Sequence, residues 1–160
     1  MHKYLVVSDT HGRDDNFYRA LEAEEPVDGV IHCGDFEGSE GKFALACDCP
    51  VYFVAGNNDF FSDLNRELEF TLDGHKFFVA HGHNYMVNMD LEYIRSEAIS
   101  RNAEVVIFGH THKPVAKTMG GVYVFNPGSL SYPRQEGRRP SYLVLSMGDD
   151  DIISYEIKYL

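Results

Sequence analysis

Hydrophobic residues along this chain come in short runs separated by polar turns, and their spacing switches between the periods of strands and helices. Residues 3 to 8 (KYLVVS) read as a strand, followed by a turn at His11 and Gly12. A helix is predicted from Asp14, its N-cap, to Glu25, with Phe17, Ala20, Leu21 and Ala23 as its apolar stripe and Pro26 as its stop. Val27 to His32 supply the next strand, Ser39 to Cys47 a shorter helix, and Val51 to Ala55 a third strand. This order implies right-handed parallel crossovers and a sheet covered by helices.

The second half changes character. Leu68, Phe70 and Leu72 alternate with polar residues up to Asp73-Gly74, after which KFFVA runs back to His81, a hairpin signal. A helix with an apolar face at Leu91, Ile94, Ala98 and Ile99 precedes the strand at 104 to 108. Two further hairpins turn at Gly120-Gly121 and near Gly148-Asp149, the last carrying the alternation Ile153, Tyr155, Ile157, Tyr159. The C-terminal half therefore reads as largely antiparallel. Two packed sheets flanked by helices suit this α/β chain better than one doubly wound sheet.

Composition narrows the function. With 160 residues, 44% hydrophobic and 24% charged, the chain reads as a single globular domain spanning 1–160. Its longest apolar run, VYFVA at 51 to 55, is far below the ~18 residues of a membrane span. The first residues lack a signal-peptide core, so the cytoplasm is the expected compartment. A net charge of −11 disfavours polymeric nucleic acid and anionic lipid as partners. The three cysteines, Cys33, Cys47 and Cys49, form no disulfide framework or zinc set and read as small buried hydrophobes.

The candidate chemistry lies at the strand ends. LVVS runs into Asp9-Thr10-His11, VIHCG into Asp35, VYFVAG into Asn57-Asn58-Asp59, FFVA into His81-Gly82-His83, and VVIFG into His110-Thr111-His112. Strand carboxyl ends open into the binding crevice of α/β folds, so Asp9, His11, Asp35, Asn57, His81, His110 and His112 are expected to converge. This oxygen and nitrogen set without thiolate suits manganese, iron, zinc or magnesium. Seven donors exceed the needs of one tetrahedral ion. With one bridging carboxylate they divide into two sets of four, a two-metal centre of the kind that phosphoester hydrolysis needs. Of the remaining histidines, His2 and His75 read as surface residues, and His32 points into or across a strand.

The ordered set DTH (9 to 11), GD (34 to 35), GNND (56 to 59), HGH (81 to 83), GHTH (109 to 112) and NPGS (126 to 129) resembles the calcineurin-like metallophosphoesterases, in particular their small single-domain bacterial and archaeal phosphodiesterases. The resemblance implies a four-layer αββα sandwich, two mixed β-sheets flanked by helices. It also implies two divalent ions, manganese foremost, with nickel, iron, zinc or magnesium as substitutes. By it, Asp9, His11, Asp35 and His112 hold one metal; Asp35 bridges, and Asn57, His81 and His110 complete the second. A hydroxide between the metals would attack phosphorus in line. The catalytic set is then Asp35, Asn57, Asp59 and His81, with Asp59 orienting a ligand or its loop. Asn58, His83 and Arg134 are candidate substrate contacts, and Arg138 and Arg139 lie in the same rim segment.

Asn58 stands where larger relatives place a proton-donating histidine, and an amide cannot supply that proton. Good leaving groups are expected to react and poor ones to lag. The function implied is hydrolysis of a small phosphoester, a diester foremost. A non-catalytic protein scaffold of the same fold, like a retromer subunit, is the alternative, with a nuclease third. Free strand edges of the C-terminal hairpins would allow a homo-oligomer. Asp9 and Asp35 facing two divalent ions would leave the site locally positive, an anion trap in an acidic body.

Overall fold

The computed structural model describes residues 1–160. Strands β1 (His2–Val7), β2 (Gly29–His32) and β3 (Val51–Phe53) alternate with helices α1 (Asp15–Glu24) and α2 (Glu40–Ala46). The hairpin β4 (Glu67–Leu72) and β5 (His75–Ala80) leads through α3 (Glu92–Ser100) to β6 (Val105–Ile107). Two hairpins end the chain, β7 (Val115–Met119) with β8 (Val122–Asn126), and β9 (Ser141–Met147) with β10 (Ile153–Tyr159). No helix is long and apolar enough to cross a membrane.

The strands form two five-stranded sheets, β10-β9-β1-β2-β3 and β4-β5-β6-β8-β7. Both are mixed. In the first, β1 pairs in parallel with β2 and β2 with β3, as the alternating pattern predicts, while β9 adds antiparallel to β1. In the second, the outer pairs β4–β5 and β7–β8 are antiparallel, but the centre β5–β6–β8 is parallel. The second half of the chain is thus largely antiparallel, as its hairpins predict, except for this parallel centre. A hairpin signal fixes only its own two strands, and the crossover through α3 sets β6 alongside β5.

Period-two alternation explains the layers. Val6, Ile31, Phe77, Val79, Val105, Ile107, Leu143 and Leu145 point between the sheets into one core. The alternate residues Leu5, Val7, Val30 and Val144 pack against Phe17 and Leu21 of α1 and Phe43 of α2. Phe78, Val106 and Val124 pack against Ile94 and Ala98 of α3. Because both faces of each sheet are covered, the result is the four-layer αββα sandwich.

Several local expectations need correction. In α1, Ala23 is exposed and Glu24 is buried, because a helical stripe containing 17, 20 and 21 continues to 24. The Glu24 carboxylate accepts hydrogen bonds from Tyr142 Oη and Lys158 Nζ, each at 2.9 Å. Asp14 occupies the N-cap position without capping α1; it accepts instead from Ser39 Oγ at 2.6 Å, joining the starts of α1 and α2. Ile99 is exposed rather than on the inner face of α3. His75 is buried beside Glu104, with 2.6 Å between Nδ1 and the carboxylate, whereas His2 is exposed as expected. Of the cysteines, Cys33 is buried, Cys47 and Cys49 are half-buried, and all are free thiols.

Candidate metal centre

All the strand-end motifs meet at one end of the sandwich. Two groups of metal-competent atoms lie within 4.8 Å of one another, Asp9, His11 and His112 in one, and Asp9, Asp35 and His81 in the other. Asp9 Oδ1 is 3.3 Å from His112 Nε2, 3.6 Å from His11 Nε2 and 3.7 Å from His81 Nε2. Asp35 Oδ2 lies 3.3 Å from His81 Nε2 and 3.7 Å from His11 Nε2. Both carboxylates therefore reach across the two groups, Asp9 as well as the Asp35 expected to bridge.

The backbone is bent to place these donors. Asp9, His11, Asp35, His110 and His112 all adopt left-handed φ, between 50° and 70°. Such conformations cost about 1 kcal/mol or more each and persist where surrounding structure enforces them. Here the enforcement is visible. Ser8 Oγ and the His110 N–H donate to Asp9 Oδ2 at 2.6 and 3.0 Å, and Ser129 Oγ donates to the Asp9 carbonyl at 2.8 Å. Gly109 allows the close approach, since a Cβ there would overlap Ser8 Oγ and lie 2.6 Å from Asp9 Oδ2.

Asp59 staples two turns together. It is buried, and its carboxylate accepts from the N–H groups of Asp35 and Gly56, both at 2.7 Å, and of Glu37 at 2.8 Å. These three bonds make it a positioning residue for both turns. His32 makes a second staple: Nδ1 accepts from the Gly34 N–H and Nε2 donates to Thr10 Oγ1, each at 3.0 Å. Burial pushes its imidazole down to about 3, so the ring stays neutral.

The donor set fits divalent cations. His81 Nδ1–H donates to the Cys33 carbonyl and His112 Nδ1–H to the Tyr132 carbonyl, each at 2.7 Å, which turns both Nε2 lone pairs toward the carboxylates. Lone pairs aimed at carboxylate oxygens repel unless a cation or proton lies between them. Asp9 Oδ1 and His81 Nε2 are also buried without any hydrogen-bond partner. In the metal-free protein, burial alone would lower His81, but Asp9 and Asp35 raise it to about 9. Burial likewise opposes Asp35, yet its bonds with His81 and Asn58 bring it down to about 2, and the same histidines hold Asp9 well below the carboxylate range. Protons there occupy positions a cation would take.

The remaining expected residues fall around this cluster. His110 is half-buried with its ring 5.2 Å from that of His81, and His83 lies 5.6 Å from His81; burial, with the charge of His81, lowers both. Asn57 is exposed on the turn after β3. Its neighbour Asn58 donates from its backbone and side-chain nitrogens to Asp35 at 2.9 Å each. Arg134 is exposed at the rim near His11 and His112, with Arg138 beside it, whereas Arg139 turns to the Leu160 carbonyl. Sequence reasoning missed Glu37, whose Oε1 sits 3.5 Å from His11 Nδ1, and the exposed pair Phe60 and Phe61. Two adjacent aromatics in a stretch without periodicity were the available signal for the pair; nothing distinguished Glu37.

Comparison with known proteins agrees with this geometry. The model of the calcineurin-like phosphoesterase superfamily domain matches residues 2–150. A probable metallophosphoesterase of Bacillus subtilis is 35% identical, covering 91% of this chain and 85% of the relative. The Escherichia coli phosphodiesterase YfcE is 36% identical, with 96% and 91% covered. Among solved structures, a predicted phosphoesterase from Streptococcus pneumoniae superposes with a TM-score of 0.85 at 27% identity, covering 99% of this chain and 89% of the other. Vps29 from Entamoeba histolytica shares the fold, with a TM-score of 0.79 at 23% identity and 99% of both chains covered. With the family model spanning nearly the whole chain and its strand-end donors gathered in one cluster, this protein belongs to the calcineurin-like phosphoesterase superfamily.

Proposed function

We propose that this metal-dependent phosphoesterase is a phosphodiesterase acting on a small phosphoester, with two divalent ions held where the carboxyl ends of its sheets meet. The observation that carries the reading is the pair of buried, unpartnered atoms Asp9 Oδ1 and His81 Nε2 inside a ring of imidazole nitrogens. Asp9, His11, Asp35 and His112 would hold one ion; Asp35, Asn57, His81 and His110 the other, Asn57 turning inward to do so. Two such ions, when bound, neutralise phosphoryl oxygens and supply a nucleophilic water near neutral pH. The oxygen and nitrogen donors favour manganese over softer metals, and the three free thiols suit a cytoplasmic location.

The chain's own residues set geometry and charge. Asp59 and His32 keep the Asp35 and Asp9 turns in register, which fixes the line of attack. Asn58 holds Asp35 with the same amide that can donate to a phosphoryl oxygen, stabilising charge without transferring a proton. His83 and Arg134 flank the cluster as substrate contacts. With no proton donor at Asn58, aryl esters react ahead of alkyl esters.

The test is hydrolysis of bis(p-nitrophenyl) phosphate and a panel of cyclic nucleotides by chelator-stripped protein reloaded with one metal at a time. Turnover with manganese, abolished by chelator, is the expected result. Two bound ions without turnover under any metal would indicate a non-catalytic scaffold instead. Faster cleavage of polynucleotides than of small diesters would make the protein a nuclease.

A further inference from the structure

Two unlike cavities adjoin the turns that carry the metal cluster. One, of about 350 Å³, is lined by Phe36, Asn58, Asp59, Phe60 and Phe61. The other, of about 500 Å³, is lined by His11, His112, Tyr132, Arg134 and Arg138. Glu37 lines both and so stands at their shared boundary. Each has the size of a small-molecule subsite; His11 and His112 of the cluster line the second, and Asn58 and Asp59, both bonded to Asp35, line the first. A phosphorus atom at the cluster would send one ester arm into each.

The linings call for different chemistry. Phe60 is 73% exposed and Phe61 fully so, side by side in the segment after Asp59. Such rings gain by stacking on another aromatic face and leaving water. Beyond Glu37, charge is the distinguishing feature. Arg95 and Arg101 pair with glutamates, Arg13 and Arg139 lie over tyrosine rings, and Arg19 and Arg66 donate to Asn16 and the Gly56 carbonyl. Only Arg134 and Arg138 lack any such partner, in a chain carrying 25 carboxylates and a net charge of −11. Two free guanidinium groups beside a phosphoryl site form a receptor for an anion.

We infer that the substrate is a phosphodiester with two unlike arms, an aromatic arm seated against Phe60 and Phe61 and an anionic arm, carboxylate or phosphate, held by Arg134 and Arg138. This rests on the phosphodiesterase reading above and adds to it the chemical class of each arm. The metals then act on the central phosphoryl group, and Glu37 keeps the anionic arm from crossing to the aromatic side.

The experiment uses manganese-loaded protein and p-nitrophenyl phosphodiesters whose second arm is 2-carboxyethyl, ethyl or choline. All release the same p-nitrophenolate, so differences report the second arm alone. KM is expected to rise in that order, with about a 10-fold spread from carboxyethyl to choline. Arg134→Gln with Arg138→Gln should collapse the spread, as should high salt. In the aromatic cavity, Phe60→Ser with Phe61→Ser should raise Ki for phenylphosphonate about 10-fold more than for methylphosphonate. Equal KM for the three arms, or a spread that survives loss of both arginines, would overturn the anionic arm. If the phenylalanine variant changes only the oligomeric state in ultracentrifugation, the aromatic pair is a contact between copies and that arm is wrong. No turnover of any diester by protein with bound manganese would instead remove the underlying phosphodiesterase reading.

Discussion

The first sheet brings carboxylates to the site and the second brings imidazoles. Asp9, Asp35 and Asp59 follow β1, β2 and β3, while His81 follows β5, and His110 and His112 follow β6. His11 is the exception, an imidazole carried on the first sheet. Carboxylates this close repel one another, and so do lone pairs on neighbouring imidazoles. Facing each other across the seam, the two sets balance, with Asp35 at about 2 and His81 at about 9. The site is a joint property of both sheets, so damage to either should be equivalent.

The largest test removes one donor from each side. Asp35→Asn and His81→Ala should each lower manganese-dependent kcat/KM by about 10³-fold or more, and the double variant should lose little beyond the worse single change. Additive losses would mean the sheets contribute independently. Melting in chelator should stay cooperative for all three proteins, because the inter-sheet core does not include these side chains.

A smaller effect separates a contact within one sheet from one across the seam. Gly56→Ala places a Cβ against the Asp35 carboxylate and 2.7 Å from its backbone nitrogen, entirely on first-sheet turns, whereas Gly109→Ala pushes a second-sheet turn against Ser8 and the Asp9 carboxylate. Each should cost about 1 to 3 kcal/mol in urea unfolding. Manganese titration should show lost affinity for both, through Asp35 in Gly56→Ala and through Asp9 in Gly109→Ala. Unchanged affinity in Gly109→Ala would place the constraint inside the first sheet.

Each sheet also has a charged tether of opposite sign. Glu24, buried on α1, bonds Tyr142 and Lys158 of the first sheet, while Arg101 after α3 pairs with Glu67 and Glu97 and lies 4.3 Å over the Phe78 ring of the second. Burial opposes ionisation of Glu24, but Lys158, Tyr142 and Lys3 lower it below its ordinary value. Its contribution is therefore complete above the unfolded value of about 4.3 and fades as pH falls through the lower folded value. Glu24→Gln should destabilise at pH 7 by about 1 to 3 kcal/mol and flatten the acid limb of stability against pH. Arg101→Gln, removing a half-exposed cation, should cost about 1 kcal/mol or less and lose most of that cost in high salt.

How much of this was readable in advance depends on whether a signal is local. Donors at strand ends were legible because apolar runs end abruptly in Asp, Asn or His. The Asp73-Gly74 hairpin was equally plain. The docking of β9 on β1 was not, since that pairing answers to Leu143 and Leu145 filling the inter-sheet core, a contact distant in sequence. Ala23 looks like the better stripe residue than Glu24, because a carboxylate is not expected on a buried face until Lys158 and Tyr142 are known to meet it. Asn57 and Asn58 sit in a turn, where neither helical nor strand period says which side chain faces inward, and here Asn58 does. The chemical identity of the family came from its motifs; Phe60, Phe61, Arg134 and Arg138, which give the two cavities their character, lie outside them.

The left-handed turns at the donors also limit what the site can become. Outside glycine, the backbone region occupied by Asp9, His11, Asp35, His110 and His112 is tolerated best by Asn, Asp and His. Those are hard and borderline metal ligands, so the turn geometry itself screens the alphabet available for redesign. Moving the centre toward a softer ion through cysteine at position 112 would require rebuilding the turn along with the side chain. Exchanges within Asp, Asn and His, by contrast, alter charge and basicity while the loops keep their shape.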